Sequence, residues 1–193
     1  LELAEIYYRL AELDMARKTY TSALRMVQQG NASREWNTRI LQSMADIDLQ
    51  RLDWKQALRI YEQIRILDPD DDGARKQLVE LNLRMKQPDK ALSEVENYIN
   101  HLESQHNHDL SIIFLQDLVK EHENQPLLKR TLAAQLHRSG RTNEAITLLD
   151  KLGETLMQNG DKQGAMDVIN QIVLMNPPKA EEYRHLLNQM RNS

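Results

Sequence analysis

The chain has 193 residues, enough for one domain with a sizeable core, and its 25 Lys and Arg against 29 Asp and Glu give a formal net charge of -4. This acidic balance argues against nucleic-acid binding driven by phosphate neutralisation. The absence of cysteine excludes disulfides, thiolate zinc sites, cysteine nucleophiles and iron–sulfur clusters.

Apolar residues recur at helical spacing along the whole chain, in segments separated by short turn signals. The few glycines and prolines, 6 and 5, are typical of a chain made mostly of helices. Two helices share residues 39–69, with a turn at Leu52-Asp53 and an end at Asp68-Pro69. The other predicted helices cover residues 1–10, 12–28, 72–85, 88–103, 109–122, 126–138 and 142–158, then one ending before Asn176 and a last one over 180–190.

Five of these helices carry the same ladder of side chains, at steps of three, four and three residues. Such steps keep the ladder on one face of a helix. After Asp53 the ladder consists of Trp54, Ala57, Tyr61 and Ile64. A small residue between two large ones lets a neighbouring helix come close. The small residues of the five ladders are Ala16, Ala57, Ala91, Ala145 and Ala165.

These ladders, together with turn motifs such as Leu52-Asp53-Trp54 and Gln87-Pro88-Asp89, resemble the tetratricopeptide (TPR) repeat family. The step from Ala57 to Ala91 is 34 residues, which is the TPR period. The resemblance implies an all-α fold, a right-handed TPR-like α-α superhelix of about five helical hairpins with a C-terminal capping helix. We expect residues 1–193 to form a single solenoid cut from a larger TPR-containing protein. The predicted hairpins cover residues 1–29, 35–68, 71–104, 108–139 and 142–176, and the predicted capping helix covers 179–191.

Two intervals depart from the regular period. Ala16 and Ala57 are 41 residues apart, and we place the surplus in a longer loop or an extended helix near residues 29–36. Ala145 and Ala165 are only 20 residues apart, too few for two complete repeats. The segment 142–158 therefore either serves both of its neighbours as one helix or breaks near Gly153.

The resemblance implies a non-catalytic scaffold or adaptor that binds a peptide or protein segment in a concave groove. The groove is lined mainly by the first helix of each pair. The residues expected there are Gln42, Asp46, Leu49, Gln50, Lys76, Gln77, Glu80, Arg84, Arg130, His137 and Arg138. The basic members Arg84, Arg130 and Arg138 would suit an acidic partner segment. The alternative is a regulatory or oligomerisation segment of a larger signalling or transcription protein.

Catalytic and metal sites are not predicted. The sequence has no Gly-rich phosphate loop, no GxSxG and no HExxH motif, so we predict no enzyme and no cofactor. Asp68, Asp70 and Asp72 imitate the start of a calcium loop, but Val79 stands where its bidentate Glu would be required. The remaining metal candidates are His106 and His108 in the loop after the sixth helix.

The expected partner is another protein or peptide, or another domain of the parent chain, with a weak homodimer as a further possibility. Nucleic acid is not expected because the chain is acidic, and a membrane is not expected because no run of about 18 apolar residues occurs. No basic-then-apolar signal segment opens the chain either, so a cytoplasmic location is expected. For the same reason, the sequon at Asn31-Ala32-Ser33 is not expected to be glycosylated.

Overall fold

The computed structural model describes residues 1–30 and 33–192, and it folds these into eleven α-helices and no strand. The sequon residue Asn31 and part of the predicted loop near 29–36 lie outside the described residues. The helices are α1 Glu2–Arg9, α2 Leu13–Gln29, α3 Arg34–Gln50, α4 Trp54–Leu67, α5 Asp72–Arg84, α6 Pro88–Ser104, α7 His108–Glu121, α8 Pro126–Arg138, α9 Thr142–Gln158, α10 Lys162–Leu174 and α11 Ala180–Asn192.

The chain forms two compact units, Leu1–Tyr98 (unit 1) and Ile99–Ser193 (unit 2), with the division inside α6. In unit 1, α1 to α5 pack in chain order, each helix against the next. In unit 2 the same holds for α7 to α11. Both units are therefore built from contacts that are close in sequence, as in helical repeat proteins.

The alanines of the five ladders are all fully buried, as their spacing predicts. A sixth small residue, Ser111 of α7, is equally buried and also lies a few residues after a tight turn. The sequence pattern does not identify it, because serine is small but polar and does not by itself indicate a buried position. Its hydroxyl donates to the carbonyl of His108 at 2.7 Å, so the buried oxygen has a partner.

Tight turns with one left-handed residue connect many of the helices. After α3, the Leu52 amide donates to the Leu49 carbonyl at 3.0 Å and the Asp53 amide to the Asp48 carbonyl at 2.8 Å, the two hydrogen bonds of a Schellman motif. Asp53 is the N-cap of α4, because its side chain accepts a hydrogen bond from the Gln56 amide at 3.2 Å. Turns of the same kind centre on Ala11, Leu52, Lys86, His106, Gly140 and Gly160.

Helix α9 resolves the 20-residue interval between Ala145 and Ala165. It runs unbroken from Thr142 to Gln158 and packs against both α8 and α10. One helix therefore serves two neighbours, and the alternative of a break near Gly153 is wrong. Gly153 lies buried inside this helix.

Several apolar residues that share a predicted helical face remain exposed. Leu3 and Ile6 of α1 are 54% and 53% exposed, and Leu110 and Ile113 of α7 are 49% and 51% exposed. Leu186 of α11 is 42% exposed. Helical spacing identifies a face but does not determine whether a neighbouring helix covers its full width.

Candidate functional site

The central helix of unit 1, α3, presents a row of polar side chains that reach towards both α1 and α5. The Gln50 side-chain amide donates to the Tyr8 hydroxyl of α1, and the Gln42 amide donates to Asp71 Oδ2, at the start of α5, at 3.0 Å. Asp46 lies one helical turn from each glutamine. We call Tyr8, Gln42, Asp46, Gln50 and Asp71 the α3 face.

The carboxylates of the α3 face act electrostatically on a buried tyrosine. Tyr61 is 6% exposed, and burial raises the pKa of its phenol, with further contributions from the charges of Asp46 and Asp71. Burial also raises the pKa of Tyr8, and the Asp46 charge adds to that effect. The Asp46 side chain is accessible to water, yet the surrounding protein raises its own pKa by desolvation. The α3 face therefore holds a carboxylate that is partly desolvated and accessible to a ligand.

Eight of the eleven predicted groove residues lie in unit 1, and three of the four on α5 pair with other residues of that helix. Lys76 Nζ lies 2.9 Å from Asp72 Oδ2, and Arg84 pairs with Glu80 one turn away. Gln77 is partly buried, as is Leu49 of α3. The α5 side chains thus offer mixed charges, of which the Arg84 guanidinium is the most exposed.

The other three predicted groove residues, Arg130, His137 and Arg138, belong to α8 in unit 2. Arg130 Nε donates to Gln171 Oε1 at 3.2 Å, and the Gln171 amide returns a hydrogen bond to the Arg130 carbonyl at 3.1 Å. His137 Nδ1 lies 2.9 Å from Thr142 Oγ1. Arg138 is exposed. Arg130 therefore connects α8 to α10, which limits its availability to a partner.

Sequence analysis missed a buried ion pair between α2 and α3. Arg17 Nε lies 3.0 Å from Asp48 Oδ1, and Arg17 Nη2 lies 3.0 Å from Asp48 Oδ2, a bidentate arrangement. Asp48 is 4% exposed, so this carboxylate lies in the interior of unit 1. The available signal was Asp48 itself, because this acidic residue lies at helical spacing from the apolar residues Met44 and Ala45.

A second network in unit 1 surrounds Arg75, which is 7% exposed. Its Nη2 donates to the Pro69 carbonyl at 3.1 Å, its Nη1 lies 3.8 Å from Glu94, and its guanidinium lies 5.0 Å from the centre of the Tyr98 ring. Arg65 also pairs with Glu94. Desolvation lowers the pKa of Arg75, and the Glu94 charge opposes that shift. These contacts fix the Asp68-Pro69 turn onto α5 and α6.

The residues considered as metal ligands do not converge. Over residues 1–30 and 33–192, no three His, Asp or Glu side chains gather as ligands for a metal ion. The rings of His106 and His108 lie edge to face, with centroids 6.5 Å apart. In the acidic turn, Asp71 Oδ1 accepts from the Ala74 amide at 2.8 Å, which is the geometry of a helix cap. None of the described helices combines the length and the hydropathy that a membrane crossing requires.

Comparison with known proteins identifies the fold through structure rather than sequence. No model of a known protein family matches the chain, and no curated protein is detectably similar in sequence. The crystal structure of BtubC (BKLC) from P. vanneervenii aligns with 96% of this chain and 78% of that chain, at 13% identity and a TM-score of 0.51.

Two structures described as TPR proteins also align. A tetratricopeptide repeat protein from Parabacteroides merdae ATCC 43184 covers 98% of this chain and 82% of its own, at 17% identity and a TM-score of 0.43. The alignment with YrrB, described as a TPR protein with an unusual peptide-binding site, covers 95% of this chain and 87% of YrrB, at 14% identity and a TM-score of 0.42. At 13% identity, the alignment with BtubC bears on the fold alone. With the buried alanine ladders and the consecutive helix packing, we identify the chain as an all-α protein of TPR-like fold.

Proposed function

We propose that this chain is a non-catalytic scaffold or adaptor module that binds a peptide or protein segment through the α3 face of unit 1. The segment belongs to another protein or to another part of the parent chain. The observation that carries the proposal is the desolvated yet accessible Asp46 carboxylate, flanked by Tyr8, Gln42 and Gln50. A partly desolvated carboxylate without a partner lowers the stability of the folded chain. A ligand that donates hydrogen bonds to this carboxylate supplies the partner.

The chemistry of the α3 face suits an extended segment with amide groups and a basic side chain. The glutamine amides and the Tyr8 hydroxyl provide hydrogen bonds at several points, and Asp46 provides the negative charge. Within the same unit, Arg84 of α5 adds positive charge, but its pairing with Glu80 reduces that contribution. We therefore propose the α3 face, and not the basic groove residues, as the main binding surface.

The test is affinity capture from a native lysate with the immobilised chain, followed by mass spectrometry. The test variant is Asp46→Arg with Gln50→Arg. The matched control is Glu62→Arg with Gln63→Arg, two exposed positions on α4 that undergo the same change of charge. We expect a protein that the wild-type and control chains retain and the test variant loses. Equal retention by all three chains would place the binding elsewhere.

An oligomerisation role is the second candidate, and an apolar surface on α1 favours it. Leu3, Ile6 and Leu10 are 54%, 53% and 64% exposed, and Met15 of α2 is 42% exposed. If this surface pairs two copies, sedimentation velocity should show a mass that rises with concentration, and Ile6→Glu should return it to that of the monomer. A wild-type chain that remains monomeric at high concentration would exclude this role.

A further inference from the structure

Unit 2 contains an apolar cavity of about 510 Å³ between α9, α10 and α11. Leu149, Ile169 and Ile172 contribute to its apolar lining, and Met157 and Leu186, 47% and 42% exposed, lie where it opens to solvent. The volume is within the range of ligand-binding clefts, about 300–1,000 Å³. It accommodates one large apolar side chain together with part of its backbone.

The polar lining of this cavity is acidic. Asp150 and Glu154, one turn apart on α9, both contribute to it, and no Lys, Arg or His does within the described part of the chain. The Tyr183 hydroxyl donates to the Asp150 carboxylate, 3.0 Å from each of its oxygens, which holds that group at the cavity. An apolar surface bordered by negative charge is complementary to an apolar side chain followed by a cation.

Gly153 lies in the same lining, between the two acidic residues, and packing does not explain why it is glycine. A Cβ at this position would lie 3.8 Å from Val168 Cγ1, an ordinary van der Waals contact. Alanine would fit there and would favour the helix, because glycine in a helix interior costs about 0.5–1 kcal/mol. Glycine at this position therefore leaves the lining without a side chain between Asp150 and Glu154.

We propose that this cavity, which we call the α9–α11 cavity, binds a segment of a partner protein that inserts one large apolar side chain and places a Lys or Arg against Asp150 and Glu154. The apolar side chain occupies the space above Gly153, and the cation meets the two carboxylates at the edge. The cavity lies wholly in unit 2, so this site and the α3 face of unit 1 can be disproved independently.

The test is selection of a random 12-residue peptide library displayed on phage against the intact chain, followed by affinity measurements with the enriched peptides. Asp150 and Glu154 lie within about one helical turn of Gly153, and one turn spans 3.6 residues. We therefore expect peptides in which a Lys or Arg lies within about four residues of a Leu, Ile, Met or Phe. Gly153→Leu should fill the cavity and reduce affinity at least tenfold. Thr155→Leu, an exposed change on the same helix outside the cavity, is the matched control and should leave affinity unchanged.

Asp150→Asn with Glu154→Gln tests the charge without altering the shape, because the amide oxygen introduced in place of the Asp150 carboxylate would still accept the hydrogen bond from Tyr183. The double variant should weaken binding about tenfold at low salt and remove most of its salt dependence. Circular dichroism of each variant confirms that it is folded. The proposal is overturned if no peptide is enriched, or if the enriched peptides bind the Gly153→Leu chain as tightly as the wild type. It is also wrong if the chain dimerises and Gly153→Leu abolishes the dimer, because the cavity would then hold a second copy.

Discussion

The two units use the same helical fold but connect their helices with different chemistry. In unit 1 the most deeply buried polar links are ion pairs, Arg17 with Asp48 and Arg75 with Glu94. In unit 2 they are hydrogen bonds that involve a neutral group: Gln135 Nε2 donates to Ser111 Oγ at 3.0 Å and to Glu103 Oε1 at 2.6 Å. A repeat fold therefore specifies where helices meet, and leaves open which polar groups join them.

The units also differ in their aromatic residues and in their turns. Both tryptophans and five of the six tyrosines belong to unit 1, so tryptophan fluorescence reports on unit 1 alone. The described left-handed turn residues of unit 1 are not glycine and include Leu52 and Lys86, whereas unit 2 uses Gly140 and Gly160 as well as the non-glycine residues His106 and Asn176. Fluorescence and circular dichroism together can therefore assign a change in stability to one unit.

The largest expected effect comes from breaking the buried ion pair of unit 1. Asp48→Ala leaves the Arg17 guanidinium without its partner in a largely buried position, and we expect the free energy of unfolding to fall by about 3–5 kcal/mol. Urea unfolding followed by tryptophan fluorescence measures it. Asp14→Ala is the control, because the Asp14–Arg51 pair is exposed and should contribute less than about 1 kcal/mol. Similar losses from both variants would contradict the comparison.

A smaller loss is expected from the corresponding link in unit 2. Gln135→Ala removes a buried donor from Ser111 and Glu103, and we expect a cost of about 1–3 kcal/mol. Because unit 2 contains no tryptophan, urea unfolding followed by circular dichroism is the measurement. Gln116→Ala, at an exposed position on α7, should have little effect. A loss for Gln135→Ala as large as that for Asp48→Ala would show that charge does not distinguish the two units.

Substitutions at the left-handed turn residues should change the free energy of unfolding in opposite directions in the two units. Leu52 has φ of 57°, a left-handed conformation that an L side chain adopts at a cost of about 1 kcal/mol or more, so Leu52→Gly should stabilise unit 1 by up to about 1 kcal/mol. Gly140 has φ of 83° and no atom near its absent Cβ, so Gly140→Ala should cost about 1 kcal/mol through backbone strain alone. Thermal unfolding of both variants measures the two shifts. Shifts of the same sign would contradict this account.

The smallest effect concerns alkaline pH and Tyr183 of unit 2. Burial, the hydrogen bond to Asp150 and the Asp150 charge raise the pKa of Tyr183 to about 12. A phenol with an unfolded pKa near 10 therefore stabilises the fold fully below pH 10, and this contribution is lost as the pH rises towards 12. Tyr183→Phe should show a smaller loss of stability across this window. Identical pH profiles for the two chains would contradict the raised pKa.

Much of the fold can be predicted from the sequence because the helices are amphipathic and end at recognisable turns. Helix α8 is predicted at 126–138 and α9 at 142–158, and both lie at those residues in the structure. The ladder alanines are buried because only a small side chain permits the close approach of two helices. The hairpin limits and the extent of a single solenoid stay predictions, as do the groove residues.

The all-α class, the helix positions and the TPR-like fold follow from the sequence alone, since each of these depends on the period of side chains within one segment. The Arg17–Asp48 pair, the Ser111–Gln135 contact and the α9–α11 cavity emerge only in the folded molecule. Each of these joins residues more than 20 positions apart, and no local sequence pattern indicates which of such distant residues will be in contact. Whether an apolar stripe such as that of α1 is covered depends on its neighbours, and so its exposure too is set by how the helices pack.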